Sequence, residues 1–132
     1  MATILILSVC CEKNTSVAVD EIVLRIGETT EIPLGKTAFD SQNGLSLRVE
    51  NIHDSRCPTG VMCVWEGNAS VEFHLTTKNG IYDFNLDTHY HPMFKNDTVI
   101  EGINYHLSNV LPWPDINKEQ PVKTVEILVE CN

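Results

Sequence analysis

Cys57 and Cys63, with five residues between them in "DSRCPTGVMCVWEG" (residues 54–67), are the first candidates for chemistry in this chain. A redox pair of the thioredoxin kind has two residues between its cysteines, at a helix start that lowers the thiol pKa. Here the intervening residues include Pro58 and Gly60, which do not suit a helix. A structural zinc site needs four ligands, and only His53 lies nearby in sequence. The pair is therefore predicted to form a disulfide, worth about 2–2.5 kcal/mol on the chain-entropy model.

The residues around the cysteines are predicted to shape the same loop. Asp54 and Arg56 are expected to form an ion pair or to bond to loop carbonyls. Gly67 is expected to turn the chain into the next strand. Trp65 follows Cys63 by two positions, so in an extended chain it shares that cysteine's face. The indole is therefore predicted to lie inward, over Val71, Phe73 and Leu75.

A second candidate for chemistry is the histidine segment "DTHYHPM" (residues 87–93). His89 and His91 point to the same side of an extended chain, and Met93 or His106 would complete a copper or zinc site. The competing interpretation is a polar loop with solvent-exposed histidines. A metal-binding periplasmic protein that uses this loop therefore stands as one alternative function.

Hydrolytic chemistry has weaker support in the sequence. Ser55 and Ser108 are isolated, and neither a Gly-x-Ser-x-Gly elbow nor a Gly-rich phosphate loop is found. The spacing of carboxylates along strands does not identify a catalytic pair. No catalytic residue and no cofactor are assigned, and a small hydrolase is the second alternative.

The elements that carry these residues are short segments of alternating apolar and polar residues, which is the strand signature. Turn residues separate them, above all "KNG" (Lys78–Gly80), where Asn-Gly favours a hairpin. About seven strands predict an all-β antiparallel β-sandwich, with an open β-barrel as the alternative. The predicted strands are Ile22–Ile26, Thr29–Leu34, Leu45–Ile52, Ala69–Thr76, Ile81–Leu86, Ile103–Leu111 and Lys123–Cys131.

The alternation also assigns faces to two of the strands. Cys131 continues an apolar face, so it is predicted to be a buried and inert thiol. A disulfide from Cys131 to Cys10 in an uncleaved chain is the alternative. The residues predicted to point inward are Ala69, Val71, Phe73 and Leu75 in one strand, and Val125, Ile127, Val129 and Cys131 in the other.

Length and charge limit the class of protein. The 132 residues suit one domain, placed at residues 21–132. The formal net charge of −9 argues against a nucleic-acid partner, because such binding depends on Lys and Arg neutralising phosphates. It argues equally against an anionic membrane surface as an electrostatic partner.

The first eleven residues, "MATILILSVCC", carry no charged side chain and are too short to span a bilayer. Apolar and small residues leading into a cysteine and then into polar "EKN" resemble a bacterial lipoprotein signal. By that resemblance residues 1–11 are the signal segment, and Cys11, rather than Cys10, carries the lipid. Residues 12–20 then form a tether. The competing interpretation makes residues 2–9 the first strand of a cytosolic protein.

The stretch "DSRCPTGVMCVWEGNASVEF" resembles a motif that reads Asp-Ser-Arg-Cys-Pro, a gap of four residues, Cys-x-Trp-x-Gly and then a strand. This motif is typical of a family of small, uncharacterised bacterial exported proteins and lipoproteins. "RIGET" and "INYHLSNVLPWP" fit the same family frame, whereas Glu66 stands where a small residue is expected. The resemblance implies a lipid-anchored, disulfide-containing protein of the cell envelope that faces the periplasm or the cell exterior. The resemblance leaves the molecular activity open. We expect a binding or structural module, attached to the membrane by its lipid only, with an envelope protein or a glycan as partner.

Overall fold

The computed structural model of the chain describes residues 21–89 and 91–132, and all of the regular structure in these ranges is β-strand. No helix in these ranges is long and apolar enough to cross a membrane. The predicted signal segment and tether lie outside the described residues. The strands are β1 (Ile22–Val23), β2 (Thr29–Pro33), β3 (Thr37–Asp40), β4 (Leu45–Asp54), β5 (Ala69–Thr76), β6 (Ile81–Asp87), β7 (Asp97–Ile100), β8 (Ile103–Leu111) and β9 (Thr124–Cys131).

The nine described strands form two sheets. One has the order β1-β3-β4-β5-β6 and the other β2-β9-β8-β7. Neighbouring strands are antiparallel except for β1, which pairs with β3 in parallel. The strands thus form two separate sheets rather than one closed barrel, and the predicted all-β sandwich is confirmed.

The core lies between the two sheets and is built by residues that alternate along each strand. In β5 every second residue is buried, and in β9 the same holds as far as Val129. The inward sets predicted for these two strands are therefore confirmed, with the exception of Cys131. The largest fully buried side chains are Tyr105, Phe73, Leu24, Ile32, Leu47, Leu75, Leu86, Leu107, Ile127, Val49, Val71 and Val110.

Each of the seven predicted strands is present, and two further strands were not predicted. β3 has four residues and buries the polar Asp40, so its sequence lacks an apolar alternation. β7 also has four residues, lies at the edge of its sheet and buries none of them fully. Both elements therefore depend on pairing with a longer neighbour rather than on their own pattern.

The "KNG" turn joins β5 to β6, as predicted, but Gly80 does not adopt a positive φ there. That geometry occurs instead in the β7–β8 hairpin, where Glu101 has a φ of 53° and Gly102 a φ of 78°. Two successive positive φ angles are characteristic of the type I′ hairpin turn. The Glu101 carboxylate accepts hydrogen bonds from Tyr82, Thr77 and Asn79, and these bonds tie the two hairpins together.

The prediction of a buried thiol at Cys131 is wrong. Cys131 is the last residue of β9, pairs with Ile103 and is exposed as a free cysteine. The alternating burial of β9 stops after Val129, and the last three residues of the chain are all exposed. A side chain on the inner face of a strand is buried only where the opposite sheet covers that part of the strand.

Candidate functional site

The cysteine motif connects β4 to β5, and Cys57 and Cys63 form a disulfide in the structure. Their Cα atoms lie 5.9 Å apart, within the range that a disulfide spans. The base of the connection is closed by backbone hydrogen bonds. Ser55 N donates to Asn68 O at 2.8 Å, and Cys57 N donates to Glu66 O at 2.8 Å. The disulfide therefore closes a short outer loop on a base that is already paired.

Arg56 is the buried anchor of this connection, since its side chain is only 2% exposed. Its guanidinium donates to both carboxylate oxygens of Asp54, at 2.8 and 2.7 Å. It also donates to the carbonyl oxygens of Val110, at 2.8 Å, and Pro112, at 3.2 Å. The Trp113 ring stacks on it, with the Arg56 Cζ 4.5 Å from the ring centroid. The predicted ion pair with Asp54 is thus present, and the carbonyls that Arg56 binds belong to the end of β8 and to the β8–β9 connection rather than to the cysteine loop.

Asp54 holds the buried arginine and is itself held by a second cation. Lys123 Nζ lies 3.1 Å from its Oδ2 atom. Burial alone would raise the pKa of Asp54, but the hydrogen bonds from Arg56 and Lys123 outweigh it, and the net pKa is lowered. The carboxylate therefore stays ionised, and Asp54 and Lys123 connect the end of β4 to the chain before β9. Together Asp54, Arg56, Trp113 and Lys123 form what we call the Arg56 cluster.

Gly67 is required by both its conformation and its surroundings. Its φ is 82°, a left-handed value that glycine adopts without strain. A Cβ at this position would lie 2.7 Å from the Arg56 Cα and closer still to the Ser55 carbonyl oxygen. The backbone of the returning chain therefore packs directly on the backbone that carries the anchor.

The prediction of an inward Trp65 is wrong. The residue is 50% exposed, and the chain bends at residues 64 and 65 instead of continuing in an extended conformation. The premise that Trp65 shares a face with Cys63 therefore fails. Its indole stacks on Phe94, with centroids 6.1 Å apart, and meets the edge of His89 at 5.7 Å.

The histidine segment is held beside Trp65 by polar contacts with the motif. Asn68 is buried, donates to Asp87 at 2.8 Å and accepts a hydrogen bond from the His89 backbone at 3.0 Å. Glu66 Oε1 lies 2.9 Å from His89 Nδ1. Asp87 N donates to Lys95 O, which closes the segment into a compact loop. His89 and Phe94 consequently lie against the motif.

The most distinctive feature of this end of the sandwich is its exposed apolar surface. Met62 is 98% exposed and Val64 is 104% exposed, on either side of Cys63. Three connections contribute to the surface: the β4–β5 motif, the β6–β7 loop and the β8–β9 loop. We call it the tip surface and define it by its exposed large apolar residues, which are Val61, Met62, Val64, Trp65, Met93, Trp113 and Ile116.

Contacts link the three connections that carry the tip surface. Thr59 N donates to Pro114 O, and a Cβ at Gly60 would lie 3.1 Å from the Ile116 side chain. Trp113 Nε1 donates to Cys57 O at 2.8 Å. On the opposite side Trp65 packs on Phe94. The motif loop is therefore flanked on both sides by residues from the other two connections.

The predicted metal ligands are only partly brought together. The rings of His89 and His91 have centroids 6.2 Å apart, and His91 Nδ1 accepts a hydrogen bond from Met93 N. His106 lies on β8, in register with Asp97 and Leu128. Within residues 21–89 and 91–132, no three His, Cys, Asp or Glu side chains form a group that would hold a metal ion.

Comparisons with known proteins add no identification. The scan against protein-family models found no match. The search of curated proteins found none, and neither did the search of solved structures. The resemblance to the family of exported proteins and lipoproteins stays a prediction from the motif.

Sequence reasoning missed the partners that make the motif a site. Trp113 and Lys123 lie far along the chain from Arg56 and join it only because β8 and β9 bring their connection over the end of β4. Phe94 was likewise missed as the ring that packs on Trp65. The sequence held one indication of Trp113, because "LPWP" (residues 111–114) places a tryptophan between two prolines in a connection between strands.

Proposed function

We propose that this chain is an exported, lipid-anchored β-sandwich protein of the bacterial cell envelope, and that it acts as a binding module through the tip surface. The anchor would be a lipid on Cys11, and the domain would face the periplasm or the cell exterior. The lipoprotein-like leader supports this compartment. The Cys57–Cys63 disulfide supports it as well, because disulfides persist where the surroundings are oxidising.

One observation carries the binding role: an apolar loop projects into solvent and is nevertheless held in one shape. Met62 and Val64 are as exposed as side chains in an extended chain. Exposed apolar patches of soluble proteins mark contact sites, and Met and Trp are enriched in them. The disulfide and the Arg56 cluster order this loop before any partner arrives, which lowers the entropic cost of binding.

The anchor is tested by labelled fatty acid in the native host. Label should enter the full-length protein and disappear in Cys11→Ser, while Cys10→Ser should keep it. Label that survives Cys11→Ser but is lost in Cys10→Ser would move the anchor to the neighbouring cysteine. No label in any form would remove the lipid from the proposal.

The binding role is tested with the unanchored full-length variant Cys11→Ser and washed envelopes of the host. Binding should saturate and should fall at least tenfold when Met62→Asp or Val64→Asp is added. Ile81→Asp is the matched control, because Ile81 is also an exposed apolar residue, 64% exposed, but begins β6 at the opposite end of the sandwich. Equal losses in all three variants, or binding that does not saturate, would contradict the tip surface as the contact site.

A further inference from the structure

We infer that the partner of the tip surface is another protein, which receives the Met62–Val64 loop in an apolar groove bordered by basic side chains. This inference rests on the proposed binding role and names the class of partner. Its first support is size. The seven residues of the tip surface, at their observed exposures, offer roughly 900 Å² of accessible surface, about what one partner contributes to an interface of standard size.

The shape of the loop requires a concave partner. Met62 and Val64 are almost fully exposed, whereas Trp65 and Trp113 at the base of the loop are half-exposed. The surface is therefore a projection with aromatic shoulders rather than a cleft. A groove that encloses the two aliphatic side chains and contacts the two indoles at its rim would bury the whole surface. Contacts of this kind, with large side chains anchored at the centre, dominate the energy of protein interfaces.

The chemistry of the loop favours a protein over a sugar. Between Pro58 and Trp65 the only side chain with a hydrogen-bonding oxygen or nitrogen, apart from the indole, belongs to Thr59. A glycan presents hydroxyl groups, and burying them against apolar side chains without hydrogen bonds costs free energy. Apolar side chains of a protein groove carry no such cost.

The negative charge of the chain favours basic side chains at the border of the partner's groove. The net charge is −9, and the Glu66 carboxylate, 70% exposed, lies at the base of the loop beside His89. A basic border would attract this chain and speed association. A second copy would instead bring together two chains that each carry a net charge of −9, and an anionic bilayer would repel the chain in the same way.

The test places a photoreactive p-benzoylphenylalanine at Val64 of the full-length protein in host cells, with Ile81 as the control position. Irradiation should give a protein adduct at Val64 that is missing at Ile81 and that Met62→Asp removes. The crosslinked peptide of the partner should map to a groove with apolar lining and basic borders. With the purified partner, the association rate should fall at least tenfold between 50 and 300 mM salt, and several-fold in Glu66→Gln at low salt.

The possible failures separate the two proposals. An adduct at Val64 with lipid, with glycan or with a second copy of this chain would overturn the inference about the partner and leave the binding role in place. A protein adduct whose contact surface is polar, or whose association is insensitive to salt, would overturn it as well. Labelling at Val64 no stronger than at Ile81 would contradict the binding role itself.

Discussion

Two arginine–carboxylate pairs, one within β4 and one at its end, differ in what surrounds them. Arg48 and Glu50 lie within β4, 2.9 Å apart, with side chains that are 45% and 42% exposed. Asp54 and Arg56 have the same spacing of two residues at the end of β4, but their side chains are 6% and 2% exposed. The second pair is buried because the end of β8 and the β8–β9 connection cover it and supply carbonyl acceptors and an indole. Identical sequence spacing therefore gives a surface pair in one place and an anchor in the other.

The comparison also explains how one motif can both stabilise the fold and leave apolar residues exposed. The Arg56 side of the motif faces the second sheet, and its guanidinium makes four hydrogen bonds. The Met62 side faces solvent and is shaped by the disulfide. Substitutions on the first side should therefore unfold the domain, whereas substitutions on the second should change contacts with a partner and leave the fold intact.

The largest effect is expected from Arg56→Met. It leaves the buried Asp54 carboxylate with Lys123 as its remaining cation and removes the donors to Val110 O and Pro112 O. The free energy of unfolding should fall by about 3–5 kcal/mol. Arg48→Met is the matched control and should cost about 1 kcal/mol or less, because its pair is exposed. Urea titrations compare the two, and equal losses would refute the distinction between buried anchor and surface pair.

Gly67→Ala should have the next largest effect. A Cβ here meets the backbone of Ser55 and Arg56 at a positive φ, so strain and overlap add to about 3 kcal/mol. Gly27 provides the control, since its φ is 94° and a Cβ there would meet nothing within 4 Å. Gly27→Ala should cost about 1 kcal/mol, from backbone strain alone. Similar melting temperatures for the two variants would show that the return of the chain at Gly67 is not tightly packed.

The sequence predicts whether a side chain is buried only where the residue belongs to a segment in which apolar and polar residues alternate regularly. Val71, Phe73 and Val125 were placed correctly, because alternation along a strand decides which sheet face a side chain occupies. The prediction of a buried Trp65 was wrong, because the chain bends after Cys63 and a bend has no regular alternation from which the face of a side chain can be assigned. The burial of Arg56 depends on a connection more than fifty residues away, which no local pattern reports.

Loss of the disulfide should have an intermediate effect. The double variant Cys57→Ser/Cys63→Ser should be about 2 kcal/mol less stable, since the crosslink restricts only a short loop of the unfolded chain. Reductant should destabilise the wild-type protein by the same amount and should leave the double variant unchanged. If reductant has no effect on the wild-type protein, the Arg56 cluster alone holds the connection.

Acid should weaken the buried pair by a smaller, graded amount. The pKa of Asp54 is lowered in the folded protein, so the unfolded chain binds more protons in acid. The stability that the Asp54 carboxylate contributes is complete above its unfolded pKa and is lost as the pH falls through the folded pKa. The difference in unfolding free energy between wild type and Asp54→Asn should therefore narrow from pH 6 to pH 2. A constant difference would contradict an ionised Asp54 in the anchor.

The exposed Glu101 carboxylate supplies the control for this titration. The hydrogen bond from Tyr82 lowers the pKa of Glu101, with further bonds from Thr77 and Asn79. Its contribution should also decrease in acid, but high salt should weaken it more than that of Asp54, because exposed charges are screened more strongly. Glu101→Gln measured at low and high salt makes this comparison.

The smallest effect is expected at the residue that looked most like core in the sequence. Trp65→Ala should cost about 1 kcal/mol or less, because the indole is half-exposed and the described rings that it contacts, those of Phe94 and His89, lie at the surface loop beside it. Phe73→Ala is the aromatic control. Its ring is fully buried against Phe84, so it should cost about 3–5 kcal/mol. Binding to host envelopes should show the reverse order, with a larger loss for Trp65→Ala than its stability explains. If the Trp65 variant unfolds as readily as the Phe73 variant, the indole contributes to stability as a buried core residue does. That result would also remove one of the two aromatic shoulders from the tip surface.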